Sequence, residues 1–260
     1  MADPFSRHHA DVDAAMRSGD PAAIKQAYRS LGAYLEDAAG DDLERVPVLS
    51  FPETTPVVAA QVPGDARLVL DAGCGPHPAL GICLGAAGRT VVALDIGAGT
   101  VRLARSVAAR AGVSLLGIVG DVERLPFRDG SFDAVVCDDT IEHLPDDRQG
   151  AAELARVTRP AGTVVVATPN RRSLEVLWRK AGDRVRGRHL PPSHYYAAES
   201  HLREYTPSEL SRVVAGSLQV RRFATVGWSG GRRARWATRA VQRRPLRGLT
   251  RTVVAVTTPR

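Results

Sequence analysis

The sequence contains little of what would place the protein in a membrane or in an oxidising compartment. It has three cysteines, and an odd number without paired spacing provides neither a disulfide framework nor a CxxC metal-binding knuckle. No run of about 18 apolar residues occurs, so no membrane-spanning helix is predicted. The first ten residues, MADPFSRHHA, lack the apolar region of a secretory signal. These absences predict a soluble, cytoplasmic protein.

Acidic residues are scarce in the last third of the chain. The whole sequence has 35 basic and 28 acidic residues, which gives a formal net charge of +7. Residues 171–260 contain 20 of the basic residues but only 5 of the acidic ones, and nearly all of the basic residues are arginines. This asymmetry favours contact with an anionic partner, and an arginine-rich solvated surface is an equal alternative.

Short β-branched segments alternate with helical patterns through most of the chain. Strand-like segments cover residues 67–71, 90–95, 114–119, 132–137, 163–168, 219–228 and 252–257. Helical patterns cover residues 20–39, 78–87, 98–112, 147–158 and 207–215, and Asp20 and Thr206 are candidate N-caps before prolines. This alternation predicts an α/β fold in which helices cover both faces of a mostly parallel sheet.

A glycine-rich turn follows the first strand-like segment, in the stretch VLDAGCGPHP. Gly73 and Gly75 let the backbone approach a ligand, and Asp71 at the strand end can accept hydrogen bonds from a cationic amine. The second strand-like segment ends at Asp95, where doubly wound folds place an acid that accepts both hydroxyls of a ribose. A dinucleotide fold would require a third glycine, but Pro-His-Pro, with His77 at its centre, follows Gly75.

Two further motifs occur in the middle of the sequence. The first directly follows the third strand-like segment, and the second contains the fourth. In GDVERLPF, Asp121 can accept a hydrogen bond from an exocyclic adenine amine, and the backbone N–H of Val122 can reach a ring nitrogen. The stretch SFDAVVCDDTIEHL is a buried strand that opens into an acidic turn. Any one of these motifs alone is a weak signal, but all four in this order and at these separations are improbable as a coincidence.

Together the motifs resemble those of the class I S-adenosylmethionine-dependent methyltransferases, well over residues 67–170 and more loosely over residues 200–257. The resemblance implies a doubly wound, Rossmann-like sheet of seven strands in which the last two, β6 and β7 (residues 219–228 and 252–257), form a reversed pair. It implies S-adenosyl-L-methionine as the cofactor, held by seven residues: Asp71, Gly73, Gly75, Asp95, Ile96, Asp121 and Val122. At His77 the sequence departs from the family, which often has a third glycine there.

The acidic turn after the fourth strand-like segment is a candidate metal site. Asp139, Glu142 and His143 stand at positions i, i+3 and i+4, so an α-helix would place all three on one face. Two carboxylates and an imidazole can hold Mg²⁺ or another divalent metal. The turn resembles the acid-x-x-Glu-His motif of ubiquinone-pathway O-methyltransferases and plant small-RNA methyltransferases, which implies His201 as a further ligand. The alternatives are a metal-free His143 beside the substrate and a purely structural turn.

The resemblance also implies methyl transfer to a small-molecule or lipid-linked hydroxyl. Methyl transfer from a sulfonium is an in-line displacement, in which the protein aligns the reactants and helps to deprotonate a hydroxyl acceptor. A divalent ion would lower the pKa of that hydroxyl. Without a metal, His143 would be the base, oriented by Asp138 or Asp139, so His143 and Asp138 are the predicted catalytic residues.

The parts of the chain outside the motifs are expected to hold the acceptor. Residues 1–66 are predicted to form an N-terminal helical cap and lead-in, with Tyr28 and Tyr34 facing the acceptor. Residues 67–260 form the methyltransferase domain, within which residues 229–250 are a basic insertion. Residues 171–205 are a predicted substrate lid with several aromatic and histidine side chains: Trp178, His189, His194, Tyr195 and Tyr196.

The basic C-terminal segment leaves two alternative functions open. One is an RNA methyltransferase, although the arginines lack the interleaved aromatic residues of a nucleic-acid stacking platform. The other is a non-catalytic module at the periphery of an anionic membrane, with Trp236 among the arginines that contact it. The sequence does not predict the oligomeric state.

Overall fold

A seven-stranded sheet forms the centre of the protein, whose computed structural model describes residues 4–40, 42, 54–185, 187, 201–226 and 249–260. The strands are β1 (Leu68–Ala72), β2 (Thr90–Asp95), β3 (Leu116–Val119), β4 (Phe132–Asp138), β5 (Thr158–Pro169), β6 (Leu218–Val226) and β7 (Thr252–Pro259). Their spatial order is β3-β2-β1-β4-β5-β7-β6. The predicted doubly wound, Rossmann-like α/β fold is confirmed.

The last two strands are the reversed pair that was expected. Strands β1 to β5 pair in parallel, whereas β7 lies between β5 and β6 and runs antiparallel to both. Valine-rich runs in the central strands are fully buried because both faces of the sheet are covered, as at Val164, Val165 and Val166. The chain leaves β1 and β4 on opposite sides of the sheet, which creates a crevice at their carboxyl ends.

Eight α-helices accompany the sheet in the described residues: α1 (Pro4–Ser18), α2 (Pro21–Ala39), α3 (Thr54–Ala59), α4 (Ala79–Ala86), α5 (Ala98–Arg110), α6 (Asp147–Val157), α7 (Leu174–Val185) and α8 (Pro207–Val214). Asp20 caps α2 by accepting a 3.0 Å hydrogen bond from the N–H of Ala22. Thr206 and Glu209 form a capping box at the start of α8. The five helices predicted from periodicity are therefore confirmed, with ends that differ by a few residues.

Three helices were not predicted from the sequence: α1, α3 and α7. The first two extend the N-terminal cap, in which α1 packs on α2 and α3 packs on α4. Helix α7 lies within the predicted substrate lid, and its Trp178 is 79% exposed.

The N-terminal cap docks on α5, directly after β2. A Cβ on Gly99 would lie 2.2 Å from the carbonyl oxygen of Gly32, so the backbones of α2 and α5 are in direct contact. Leu35, Ala39 and Leu103 bury a small apolar cluster between the same helices. This docking brings the inner face of α2 over the carboxyl ends of β1 and β2.

Parts of the predicted organisation lie outside the described residues. They are the lid residues His189, His194, Tyr195 and Tyr196 and most of the basic insertion, including Trp236. The chain boundary at residue 66 and the cytoplasmic location stay predictions. No helix in the described ranges combines the length and the apolar character needed to cross a membrane.

Candidate active site

A cavity of about 230 Å³ opens at the carboxyl ends of β1, β2 and β4. This is the edge at which open α/β sheets bind ligands. All seven predicted cofactor-binding residues line the cavity: Asp71, Gly73, Gly75, Asp95, Ile96, Asp121 and Val122. These residues are distributed over 52 positions of the sequence, from Asp71 to Val122. They lie around one cavity because parallel strands bring the ends of separate motifs to the same edge of the sheet.

The glycine turn owes its shape to two residues with positive φ. Gly73 has φ 84° and Gly75 has φ 62°, a region that other residues rarely adopt. A Cβ on Gly73 would lie 2.2 Å from Oγ1 of Thr140, whose hydroxyl donates a 3.2 Å hydrogen bond to the Gly73 carbonyl. The turn is therefore packed directly against the loop that follows β4.

Asp95 connects this turn with the next one. Its carboxylate accepts hydrogen bonds from the N–H groups of Gly75, at 3.2 Å, and Gly97, at 2.9 Å. Burial raises the pKa of Asp95, and these backbone donors oppose that rise. The side chain stands at the cavity wall with the short reach and the acceptor oxygens that a ribose diol requires.

The predicted adenine acceptor has a partner that sequence reasoning missed. Oδ1 of Asp121 accepts a 2.9 Å hydrogen bond from the N–H of Glu123, which orients the carboxylate. Oδ2 forms a 2.8 Å ion pair with Lys25 of α2, and Lys25 also pairs with Glu123 at 2.6 Å. Lys25 thus links the cap to the stretch GDVERLPF, Gly120–Phe127, called the adenine motif below. Nothing in the sequence singled out Lys25, although it lies three residues before Tyr28 and therefore on the same side of the helix.

Three acidic side chains stand beside the glycine turn: Asp71, Asp138 and Asp139. Burial and the nearby charge of Asp95 raise the pKa of Asp71 to about 7, and a hydrogen bond from the Gly81 N–H opposes the rise. Burial and the charges of Asp139 and Asp71 raise the pKa of Asp138 well above its usual range. A cation in this part of the cavity would compensate these buried acids.

Cofactor affinity is expected to depend on pH through Asp71. A bound ammonium group favours the carboxylate, so binding below pH 7 must release the proton that Asp71 holds in the empty site. We expect the affinity for S-adenosylhomocysteine to be constant above pH 8 and to fall about tenfold for each pH unit well below 7. Isothermal titration calorimetry from pH 5.5 to 8.5 measures this slope. The Asp71→Asn variant should bind S-adenosylhomocysteine more weakly at pH 8, and its affinity at low pH should depend on one proton fewer. A wild-type affinity that does not change with pH would contradict the assignment of Asp71 to the ammonium group.

His143 lies on a short 3₁₀ turn, Ile141–His143, after β4. Its Nδ1 is 2.7 Å from the hydroxyl oxygen of Tyr28, which extends from α2, and both side chains line the cavity. The ring centroid of His201 lies 4.9 Å from that of His143. Tyr28 was expected near the acceptor, and the structure adds its contact with His143. Tyr34 instead packs against the apolar cluster between α2 and α5.

The expected helical face of Asp139, Glu142 and His143 is wrong. Asp139 has a positive φ of 47°, and the chain then enters the 3₁₀ turn, so the three residues do not share the spacing of an α-helix. Among the described residues, the group with metal-ligand spacing contains Glu142, His143 and His201, whose ligand atoms lie within 4.8 Å of one another. Asp139 is not part of it.

Glu142 is held firmly within this group. Its side chain is 1% exposed, and its Oε2 accepts a 2.9 Å hydrogen bond from the hydroxyl of Thr168 on β5. Its backbone carbonyl accepts a 3.2 Å hydrogen bond from the N–H of Leu202, which brings the neighbouring His201 to the turn. The long separation between His201 and the turn explains why only the resemblance indicated their proximity.

Known proteins are similar to this chain at the level of sequence. The family described as a methyltransferase domain matches residues 70–166. A demethylmenaquinone methyltransferase from Mycobacterium sp. (strain KMS) is 32% identical over 183 residues, which cover 67% of this chain and 70% of that protein. A ubiquinone biosynthesis O-methyltransferase from Xanthomonas campestris pv. campestris (strain B100) is 33% identical over 141 residues, covering 54% of this chain and 59% of that protein.

Solved structures share the fold. Magnesium protoporphyrin IX methyltransferase from Synechocystis PCC 6803, with bound SAH, aligns with a TM-score of 0.60 at 16% identity and covers 93% of this chain and 100% of its own. A protein from Pyrococcus horikoshii OT3 aligns with a TM-score of 0.58 at 21% identity and covers 80% of this chain and 89% of its own. This chain belongs to the class I S-adenosylmethionine-dependent methyltransferases, and it is a methyltransferase enzyme.

Proposed function

We propose that this methyltransferase methylates a hydroxyl group of a small-molecule acceptor and that His143 accepts the hydroxyl proton. The observation that carries the proposal is the contact between His143 and Tyr28 at the cavity wall, 2.7 Å from Nδ1 to the phenolic oxygen. An amine acceptor is already nucleophilic, whereas a hydroxyl must lose its proton as the methyl group is transferred. A histidine held in this way is suited to that task.

Because Nδ1 is occupied by this contact, Nε2 is the ring nitrogen that would act. For Nε2 to accept a proton, Nδ1 must carry the hydrogen and donate it to the oxygen of Tyr28. Tyr28 then takes the orienting role that was predicted for Asp138 or Asp139. Asp138 lines the same cavity, where its raised pKa favours the neutral acid, so we place it with the groups around the cofactor.

The acceptor is expected to be largely apolar apart from its hydroxyl. The cap contributes mostly aliphatic side chains to the cavity wall, and the loop after the 3₁₀ turn adds one more: Val12, Ile24, Leu31, Leu35 and Leu144. Such a wall suits an aromatic or lipid-linked acceptor. The names of the quinone-pathway relatives support this class of acceptor.

A metal-assisted form of the same reaction is the second candidate. Two imidazoles and one carboxylate within 4.8 Å form a donor set that divalent cations such as Mn²⁺, Fe²⁺ or Zn²⁺ accept. Glu142, His143 and His201 would hold the ion. When bound, the ion would lower the pKa of the acceptor hydroxyl. The buried Glu142 carboxylate beside two histidines is the observation that favours this form.

Radiolabelled methyl transfer to defined probes tests the proposal. We suggest catechol as a simple hydroxyl acceptor and reduced demethylmenaquinone as a probe for methylation at carbon, with product structure determined by NMR. The proposal expects O-methyl catechol, and products methylated only at carbon would contradict it. Loss of activity in EDTA, restored by Mn²⁺ in the wild type but not in Glu142→Gln, would favour the metal-assisted form.

Contact with an anionic membrane stays a prediction, and RNA methylation stays an alternative. Both rest on the basic insertion at residues 229–250, of which the structure describes only residues 249 and 250. The alternative of a non-catalytic module is set aside because the chain is a methyltransferase by its domain and its relatives.

A further inference from the structure

The glycine turn ends in a residue that the cofactor motif does not explain. His77 stands where the family often has glycine, and its imidazole lines the cavity. Its Nδ1 is buried and has no hydrogen-bond partner among the described residues. A polar atom buried in this way is costly unless a ligand or water satisfies it.

A second polar atom with the same property comes from the cap. Thr55, at the start of α3, is 8% exposed and lines the same cavity. Its hydroxyl is buried without a hydrogen-bond partner in the part of the chain that the structure describes. Helix α3 packs on α4, whose N-terminus directly follows the Pro-His-Pro turn. Two unsatisfied groups from separate elements therefore reach the cavity at this end.

The start of α4 adds a favourable field for negative charge. The helix spans Ala79–Ala86, and its N-cap residue, Pro78, provides no side-chain hydrogen bond to the first N–H groups. The partial positive charge of a helix N-terminus stabilises an anion placed nearby. Two other side-chain donors around the cavity are already engaged: Lys25 by two carboxylates and Thr140 by backbone carbonyls.

The amino acid part of S-adenosylmethionine carries one ammonium and one carboxylate group. The carboxyl groups of Asp71 and Asp138 line the cavity beside the glycine turn, where they offer acceptors to the ammonium group but no charged donor to the carboxylate. We propose that Thr55 and His77 form the subsite that binds the cofactor's carboxylate, by donating hydrogen bonds from the hydroxyl and the imidazole. By holding the carboxylate, the two residues also position the cofactor's sulfonium within the cavity. This role depends on cofactor binding alone and not on the choice of acceptor.

Two ligands that differ only in the amino acid part separate this role from others. S-adenosylhomocysteine carries the carboxylate, and 5′-methylthioadenosine lacks the whole aminocarboxypropyl group. We expect Thr55→Val and His77→Ala each to weaken S-adenosylhomocysteine about tenfold or more, as for one lost hydrogen bond to a charged group. The affinity for 5′-methylthioadenosine should stay within about twofold. Titration calorimetry on the full chain measures both.

Matched variants control for folding. Thr54→Val removes a hydroxyl that is equally buried and without a described partner but lies outside the cavity lining, so both affinities should be unchanged. His77→Gln retains a side-chain donor and should bind S-adenosylhomocysteine more tightly than His77→Ala. Equal weakening of both ligands would show that the residues only shape the loop, and unchanged S-adenosylhomocysteine binding would show that they do not contact the carboxylate. Either result overturns the proposal.

Discussion

Replacement of Asp95 by alanine is expected to weaken S-adenosylhomocysteine binding by about 100-fold or more. Two hydrogen bonds from ribose hydroxyls to a carboxylate contribute about 1.5–3 kcal/mol each, and both are lost in the variant. The backbone N–H groups of Gly75 and Gly97 lose their acceptor at the same time, which loosens the glycine turn. Titration calorimetry with wild type and variant measures the change directly.

The ribose assignment has its own ligand signature. Adenosine and 5′-methylthioadenosine both contain the ribose, so Asp95→Ala should weaken them as strongly as S-adenosylhomocysteine. In contrast, the variants of Thr55 and His77 should affect only the ligand with a carboxylate. Asp65→Ala removes an exposed acid outside the cavity and should change none of the affinities. A well-folded Asp95→Ala protein with near wild-type affinity would refute the assignment.

Replacement of His143 by alanine is expected to lower kcat for a catechol acceptor by about 10²- to 10⁴-fold, the usual contribution of a general base. The binding of S-adenosylhomocysteine should change little, because the predicted cofactor contacts lie on other residues. Tyr28→Phe removes the acceptor for the Nδ1 hydrogen of His143 and should lower kcat by about tenfold, with a smaller effect on KM. Steady-state kinetics with tritiated S-adenosylmethionine measures both parameters.

The chemistry of the acceptor separates a proton-accepting histidine from a structural one. The hydroxyl of 4-nitrocatechol ionises far more readily than that of catechol, so it depends less on a base. The defect of His143→Ala should therefore shrink with 4-nitrocatechol, and added imidazole should restore part of the rate with catechol. If the defect is equal for both acceptors and imidazole has no effect, His143 does not accept the proton.

The cap helix α2 makes two contacts that relate cofactor binding to acceptor binding. Lys25 pairs with Asp121 at the adenine motif, and Tyr28, one helical turn further, contacts His143. Both side chains come from the same face of α2, because residues three apart lie on one side of a helix. A single docked helix thus lines the candidate cofactor cavity and contacts the proposed base.

Much of the candidate cofactor site could be predicted because it depends on local sequence and on a general property of parallel sheets. Asp71 and Asp95 lie at the ends of β1 and β2, and the two glycines and Asp121 follow β1 and β3 within three residues. The carboxyl ends of parallel strands share one edge of the sheet. Once the strand pattern is recognised, their assembly around one cavity follows. The reversed pair β6 and β7 came from the resemblance and not from the pattern itself.

The turn after β4 shows where this reasoning fails. The spacing of Asp139, Glu142 and His143 predicts one face only if the chain is α-helical, and the structure has a 3₁₀ turn there. Thr140 and Glu142 hold this turn through hydrogen bonds to Gly73 and from Thr168, residues on other elements. Helices α1, α3 and α7 were missed for a related reason, since short or largely polar helices depend on the surfaces on which they pack.

The sequence by itself determined the parallel α/β core and the residues along the strand ends, because strand periodicity and motif spacing are local properties. The cofactor class came from the resemblance to a known family. Only the tertiary structure decided which distant side chains lie together: Lys25 at Asp121, Tyr28 at His143, and Thr55 in the same cavity as His77. These arrangements depend on how the N-terminal cap docks on the sheet. Docking depends on contacts such as that between Gly32 and Gly99. These two residues are far apart in the chain, so no local sequence pattern predicts their contact.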